Sequence, residues 1–186
     1  MLAVTPSDTS RTAVAAPGVI VRLAGSPFGG YTALDGKMRF DQVVPGTYLF
    51  EATTPLHEVI EATAARTAVT VAADTLVEAR VTLKPLAQAA AEVCPDYPVG
   101  PGEGILAGRL TVGENASPAP NVKVTVEWTG GDREVRSRGD GYYRLCGVPR
   151  GMLLLVRASA NGYMVTQSLT LAPTEIVRPL DLELKP

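Results

Sequence analysis

Apolar and polar residues alternate in several short stretches of the chain. Residues 122–128 alternate valine or tryptophan with lysine, threonine and glutamate, and residues 77–84 and 180–185 alternate apolar with mostly charged residues. Successive side chains of a strand point to opposite faces, so each stretch predicts a strand with one buried and one solvated face. Fifteen prolines, eighteen glycines and few helix-like spacings indicate short strands joined by turns. We therefore predict an all-β sandwich or small barrel.

The chain contains two copies of one unit. DGKMRF at residues 35–40 returns as DGYYRL at residues 140–145, and a glycine follows each motif at the same spacing, at Gly46 and Gly151. The ends match as well, since residues 69–72 resemble residues 169–172 and residues 82–85 resemble residues 183–186. A repeat of this length predicts two small domains. Each Asp-Gly pair predicts a tight hairpin, because glycine supplies the positive φ that such a turn requires.

The repeat places a first domain at residues 1–85 and a second at residues 104–186. The connector, residues 86–103, begins with an alanine-rich run that predicts a turn or two of helix. It continues as a Pro/Gly-rich, semi-rigid stretch.

The two copies differ where they begin. The second opens with an apolar run at residues 104–112 that predicts a full first strand. The first copy offers only Met1, Leu2, Ala3, Val4 and Thr5 before a polar stretch. A sandwich without a complete edge strand exposes backbone that another chain can complete, which makes these five residues assembly candidates. The alternatives are that the strand is merely short or that the chain is clipped.

The second copy resembles the carboxypeptidase regulatory-like domain of the prealbumin-like (transthyretin-like) superfamily. The resemblance rests on DGYYRL, on GVPRG at residues 147–151 and on Asn161-Gly162-Tyr163. It covers residues 104–186 and, more weakly, residues 17–85, where Thr54-Pro55-Leu56 replaces the Asn-Gly-Tyr element. It implies two tandem Greek-key β-sandwiches of seven or eight strands each. It implies little about function, because such domains act as accessory, adhesive or stalk modules.

Charge and hydropathy exclude two classes of partner. The net charge of -2, without a Lys/Arg cluster, argues against nucleic acid. No stretch approaches the roughly 18 apolar residues that span a bilayer. The N-terminus does not have the pattern of a signal peptide. We expect an exported, extracellular or cell-surface protein whose leader is absent from this sequence.

Cys94 and Cys146 are the only cysteines. An even count in a secreted β-domain predicts one disulfide, here tying the connector to the second sandwich. Two reduced, buried thiols are the alternative.

Enzymatic activity has little support in the sequence. The prealbumin-like superfamily includes ring-opening hydrolases and intradiol dioxygenases, and both need more than one histidine, whereas His57 is alone. No G-x-S-x-G elbow presents a serine. We predict a non-enzyme without a required cofactor, with His57 in a surface loop.

Loop acids and sequons provide weaker candidates. Asp132, Asp140, Asp96 and Glu103 are possible calcium ligands, although Asp140, like Asp35, precedes a turn glycine, where aspartate is favoured for backbone hydrogen bonding alone. Asn115 begins the only N-x-S/T sequon, which the following Pro118 weakens. A hydroxyl-rich stretch from Thr5 to Thr12 is a possible O-glycan region.

Adjacent tyrosines suggest a surface for carbohydrate. Tyr142 and Tyr143 should point to opposite faces of one strand, so one of them should face outward and stack on sugars with Trp128 and Tyr163. The commoner arrangement places Trp128 and one tyrosine in the core.

Two functional hypotheses follow from these patterns. The first is a self-assembling subunit of an extracellular fibre, polymerising head to tail with copies of itself by strand exchange. The alternative is a carbohydrate- or protein-binding accessory module of a larger secreted or outer-membrane protein.

Overall fold

The computed structural model describes residues 2–4 and 16–185, with side chains over 16–185. The chain divides into two compact units, Met1–Ala89 and Ala90–Pro186, and the division falls inside a helix, α2 (Leu86–Val93). This helix forms where the alanine-rich run of the connector predicted one, since alanine has the highest helix propensity.

The first unit is a sandwich of two sheets. One sheet has the order β3-β2-β5-β6 and the other the order β4-β1-β7. β1 pairs antiparallel with β4 and parallel with β7. Its elements are β1 (Leu2–Val4), β2 (Ile20–Leu23), β3 (Gly29–Tyr31), β4 (Lys37–Met38), β5 (Gly46–Thr53), α1 (Pro55–Val59), β6 (Ala65–Val71) and β7 (Ala79–Val81).

The second unit is also a two-sheet sandwich. One sheet has the order β11-β10-β13-β14; in the other, β8 lies between β12 and β15, and further along it pairs with β16 and β9. The strands are β8 (Glu103–Val112), β9 (Ser117–Pro118), β10 (Lys123–Trp128), β11 (Gly131–Arg136), β12 (Tyr142–Pro149), β13 (Leu153–Ala160), β14 (Tyr163–Thr170), β15 (Val177–Pro179) and β16 (Leu182–Leu184).

Alternating residues form the core of each unit, as the sequence predicted. In the second unit Val124 and Val126 on β10 are fully buried, together with Leu182 and Leu184 on β16. In the first unit the alternate residues from Ala79 to Leu83 are buried and those between them are exposed. Each strand thus removes one apolar face from water, which is the main favourable contribution to folding.

The two units share one strand plan, and the Asp-Gly turns occupy the same place in both. Gly36 and Gly141 have positive φ (72° and 78°), as predicted. The hairpin prediction itself was wrong, because the strands that each turn joins, β3 to β4 and β11 to β12, belong to different sheets. A tight turn with a positive-φ glycine serves a crossover between sheets as well as a hairpin, and local sequence does not distinguish the two.

Candidate functional site

A buried hydroxyl ties the same loops together in both units. In the first unit Thr32 Oγ1 accepts a hydrogen bond from Val19 N (2.9 Å) and donates one to Ala16 O (2.6 Å). In the second, Ser137 Oγ accepts from Val122 N (2.9 Å) and donates to Ala119 O (2.6 Å). The sequence comparison missed this pair, because threonine and serine lie three residues before Asp-Gly without a distinctive motif.

Asp140 acts as a turn residue. Its Oδ1 accepts a hydrogen bond from Tyr142 N (3.1 Å), as Asp35 Oδ1 does from Lys37 N (3.0 Å), and its Oδ2 lies 3.0 Å from the Arg109 guanidinium. The backbone hydrogen bond from Tyr142, followed by the charge of Arg109, lowers the pKa of Asp140 below its ordinary value. These contacts give the carboxylate a structural role that needs no metal.

The other calcium candidates lie in separate settings. Glu103 Oε2 accepts from Gly100 N (3.0 Å), Asp132 is exposed at the start of β11, and Asp96 is exposed between Cys94 and β8. Across residues 16–185, no three His, Cys, Asp or Glu side chains group closely enough to hold a metal ion. Calcium binding stays a prediction.

His57 is buried, and the prediction of a surface loop was wrong. It lies in helix α1, where Thr54 is the N-cap residue and accepts from His57 N (3.3 Å). His57 Nε2 lies 3.0 Å from Lys84 O, and Nδ1 lies 2.7 Å from Thr54 Oγ1. A carbonyl only accepts, so in the neutral ring Nε2 donates to Lys84 O and Nδ1 accepts from the Thr54 hydroxyl. The capping pattern Thr-Pro-x-His was the available signal for this helix.

The proposed sugar-stacking surface does not form. Tyr142 and Tyr143 are 6% and 1% exposed, so the prediction that one of them faces outward was wrong. The Tyr143 hydroxyl donates to Leu180 O (2.6 Å), and burial, helped by the charge of Asp181, raises the pKa of Tyr143. The Arg138 guanidinium lies 4.3 Å from the centroid of the Tyr142 ring, a cover that alternation alone does not reveal.

The other two aromatic residues of that surface are partly buried against the core of the second unit. The Arg133 guanidinium also lies 5.8 Å from the centroid of Trp128 and 4.9 Å from that of Tyr97. Trp128 thus already has a cationic partner.

Cys94 and Cys146 form the predicted disulfide, with their Cα atoms 6.0 Å apart across a sequence separation of 52. The bond joins the segment after α2 to β12. Gly147 follows at a positive φ of 69°, where the ladder between β12 and β8 shifts register. The disulfide thus closes the second unit beside a bulge.

The predicted glycosylation sites lie in different settings. Asn115 is exposed in the turn between β8 and β9, which leaves it accessible. Glycosylation there stays a prediction. The hydroxyl-rich stretch from Thr5 to Thr12 lies outside the described residues.

The assembly candidates form a short strand within their own unit. Leu2, Ala3 and Val4 make up β1, with Leu2 opposite Met38 on β4 and Ala79 on β7. Met1 and Thr5 lie outside the described residues. The first strand of the first unit is therefore present but only three residues long, against ten in β8.

The register of the ladders shows which residues of β8 correspond to the residues of β1. Ala3 lies opposite Lys37, as Arg109 lies opposite Tyr142, and both partners follow an Asp-Gly turn. On the other side, Val4 pairs with Val81 as Leu110 pairs with Leu182. Ala3 thus takes the place of Arg109, and Met1, two residues earlier, aligns with Ala107.

In the second unit residues 103–106 fill the space between β12 and β15. Leu106 lies opposite Leu145, and Ile105 lies opposite both Cys146 and Val177. Ile105 and Leu106 are fully buried. The beginning of β8 thus closes one end of the sandwich.

The first unit contains a cleft of about 560 Å³ lined by described residues, which we call the open end. Its two walls are residues 39–43, which take the place of residues 144–148, and residues 72–77, which lead into β7. Gln42 has φ 58°, matching Gly147 at the bulge of β12, so the first wall keeps the same backbone shape. The lining residues are Leu23, Arg39, Phe40, Asp41, Gln42, Val43, Pro45, Phe50, Val69, Val71, Ala72, Ala73, Asp74, Thr75, Leu76, Val77 and Ala79.

The open end has an apolar floor and a polar rim. Phe40 packs against Phe28 and Phe50 with ring centroids 6.0 and 5.9 Å apart. At the rim, Arg39 Nε donates to Asp41 Oδ1 (2.6 Å) in an exposed ion pair. Apolar area with a polar border is typical of a surface that binds a partner.

No known protein family and no curated protein matches the sequence. Among solved structures, the Bacillus anthracis TIE protein is 13% identical at a TM-score of 0.38, over 98% of this chain and 33% of that one. The chain thus spans a third of that protein's length. A mutant of the shaft pilin SpaA from Lactobacillus rhamnosus GG is 11% identical (TM-score 0.37, 100% and 96% covered). The minor pilin GBS52 from Streptococcus agalactiae is 12% identical (TM-score 0.36, 98% and 93% covered). Identities and TM-scores this low do not establish a shared function.

Proposed function

We propose that the protein is a non-catalytic structural subunit of an extracellular or cell-surface fibre, assembled from copies of itself by exchange of the N-terminal strand. The observation that carries the proposal is the position of β1, a three-residue strand that forms the middle of a three-stranded sheet and that residues 5–19 connect to β2. A short strand on a long connection can pair with another copy in the register that it has within its own chain, so its exchange preserves the pairings of the sheet.

Exchange would retain every pairing of β1. In a polymer, Leu2–Val4 of one subunit would lie between β4 and β7 of the next, in the register seen within one chain. The few hydrogen bonds of β1 make its release inexpensive, whereas removing the strand would leave both neighbours as open edges. Each subunit gives one strand and receives one, so the assembly is head to tail and open-ended.

The disulfide and the helices of the chain are consistent with a protein that works outside the cytoplasm. The disulfide between Cys94 and Cys146 suits an oxidising compartment. Among the described residues, no helix has the length and apolar character needed to cross a membrane. The proposal needs no cofactor.

Paired cysteines test the exchange directly. Ala3 lies opposite Arg80 in the parallel ladder, so an Ala3→Cys/Arg80→Cys variant should form a disulfide across it. After oxidation of assembled material, exchange predicts a ladder of covalent multimers on a non-reducing gel, and filaments by electron microscopy of the unmodified protein.

Two outcomes would contradict the proposal. One is monomeric protein whose engineered cysteines crosslink only within one chain at every concentration. The other is an oligomeric state unchanged by deletion of residues 1–12. The matched control is Ala3→Cys alone, which should show no regular ladder.

A further inference from the structure

We propose that β14 of the second unit pairs edge to edge with β14 of a second copy of this chain, antiparallel and about a twofold axis. The pairing surface is the side of residues 166–170 that faces away from β13, which we call the free edge. This inference does not depend on fibre formation, because it involves neither β1 nor the strands on either side of it.

The backbone of β14 points alternately toward β13 and away from it. The strand is the last in its sheet and pairs with β13 along all eight residues. Met164 N donates to Lys185 O (2.8 Å) and Lys185 N donates to Met164 O (3.2 Å), so the backbone of Met164 faces away from β13. Because this orientation alternates along a strand, Thr166, Ser168 and Thr170 face the same way.

The backbone groups of the free edge are open to a partner. Among the described residues, nothing on this side bonds to the backbone of Thr166 or Ser168, and Thr170 O accepts one hydrogen bond from Arg178 Nη2 (3.4 Å). A row of unpaired N–H and C=O groups is a template for pairing with another strand.

The other long edges of the described sheets carry features that oppose such pairing. β11, at the opposite end of the same sheet, has charged side chains at four of its six positions. β12 contains Arg144 and a register shift. β6, the equivalent edge of the first unit, has Arg66 in the place of Thr166, in an ion pair with Glu51 (2.9 Å). β14 has no charged residue, no proline and no register shift, so it is the unprotected edge.

The free edge is complementary to itself. About a twofold axis, one antiparallel register uses all three free residues, with Ser168 opposite Ser168 of the second copy and Thr166 opposite Thr170. In such pairs the two residues exchange both backbone hydrogen bonds. Facing serine and threonine side chains stabilise a sheet, whereas like charges in the same places would destabilise it.

The neighbouring strand also permits this register. Arg157, the one charged residue of β13, lies opposite Thr166 and pairs with Glu127 Oε1 (3.3 Å). Across the axis, the row of Arg157 and Thr166 continues with Thr170 and Leu153 of the second copy, so no like charges meet. The occupant that fits is therefore a neutral strand, and every copy of the chain supplies one.

A single cysteine at the axis tests the pairing. The native cysteines are joined to each other, so Ser168→Cys adds the one free thiol. Hydrogen-bonded antiparallel pairs have Cα atoms about 5.5 Å apart, which a disulfide can bridge. Mild oxidation at about 100 µM protein should convert at least about half of this variant to a covalent dimer on a non-reducing gel. One thiol per chain allows no larger covalent product, which distinguishes this dimer from the ladder that exchange of β1 predicts.

The matched control is Thr166→Cys, at an exposed position on the same strand and face. In the proposed register the two introduced cysteines lie four residues apart along the ladder, roughly 13 Å, which is beyond the reach of a disulfide. This variant should form at least ~5-fold less covalent dimer than Ser168→Cys.

Hydrogen exchange measures the pairing in the unmodified protein. The amides of Thr166 and Ser168 should exchange at least about threefold more slowly at about 1 mM protein than at about 10 µM, as expected for a dimer with Kd of about 10 to 100 µM. Ser168→Lys places two like charges opposite each other and should abolish this dependence. The control Ala68→Lys, at the equivalent exposed position of β6, should retain it.

Equal crosslinking of the two cysteine variants, or none in either, would overturn the inference. Slow exchange of Thr166 and Ser168 that is independent of protein concentration would mean that another part of the same chain covers the free edge, and would also overturn it. Filaments without the Ser168→Cys dimer would contradict this inference and leave the fibre proposal standing, and the dimer without filaments would do the reverse.

Discussion

The two units have the same plan but different first strands. β8 has ten residues and pairs with four neighbours, whereas β1 has three residues and pairs with two. Leu76 takes the place of Val177, because residues 82–85 match residues 183–186 at the same offset, yet Leu76 is 67% exposed and Val177 is 2% exposed. The lesson is that burial at an edge depends on whether a covering strand is present, and less on the residue at that position.

The units differ again in the connection that follows their longest shared strand. β13 turns directly into β14 through Asn161-Gly162, both at positive φ. After β5, the chain instead forms helix α1 and buries His57. The shared parts are the crossover turns and the buried hydroxyls of Thr32 and Ser137. The hydrogen bonds of these hydroxyls are the same in both units, whereas the first strands and the connections after β5 and β13 differ.

The largest expected difference between the units comes from placing an aspartate at two equivalent positions, Val177 and Leu76. Val177→Asp buries a charge without a partner, and we expect it to lower the free energy of unfolding of the second unit by about 5 kcal/mol. Leu76→Asp should change that of the first unit by less than about 0.5 kcal/mol. Urea unfolding followed by Trp128, the only tryptophan, measures the second unit. Hydrogen exchange measures the first. Similar losses in both variants would contradict the comparison.

Removing the disulfide should lower the stability of the second unit only. Replacing Cys94 and Cys146 with serine releases a loop closed across a sequence separation of 52, which the chain-entropy estimate values at about 4 kcal/mol. Trp128 fluorescence in urea should report this loss, while hydrogen exchange in β5 and β6 stays unchanged. A matching loss in the first unit would show that the two units do not unfold independently.

The duplicated hydroxyls should have equal effects. Thr32→Val and Ser137→Ala each leave a buried backbone N–H and a carbonyl without their side-chain partner. Each should lower the free energy of unfolding of its own unit by about 2 kcal/mol. Chemical denaturation of both variants checks the symmetry. A loss in only one unit would mean that the two scaffolds are not equivalent.

The smallest effect concerns pH. The folded state lowers the pKa of Asp140, so its ionised form favours folding above the unfolded-state pKa, and this contribution is lost as the pH falls through the folded-state pKa. Asp140→Asn keeps an acceptor for Tyr142 N but removes the charge. The stability difference between this variant and the unmodified protein should therefore shrink on acidification, in denaturation measured from neutral pH downward. A constant difference would contradict an electrostatic role for Asp140.

Much of the fold was predictable from alternation and repetition. The strand at residues 122–128, the buried faces of residues 79–83 and 180–184, the helical turns of the connector and the disulfide all appear in the structure. The predictions for His57, for the Asp-Gly hairpins and for an outward-facing tyrosine were wrong. Each of these outcomes depends on how the strands and loops pack in the folded unit, which the local sequence does not determine.

The sequence by itself determined that the protein is built from strands and that its unit occurs twice. These properties follow from local periodicity and from comparison of the chain with itself. Only the tertiary structure decided that residues 39–43 and 72–77 line one cleft. These walls come from separate parts of the chain, and they meet only because the two sheets pack face to face.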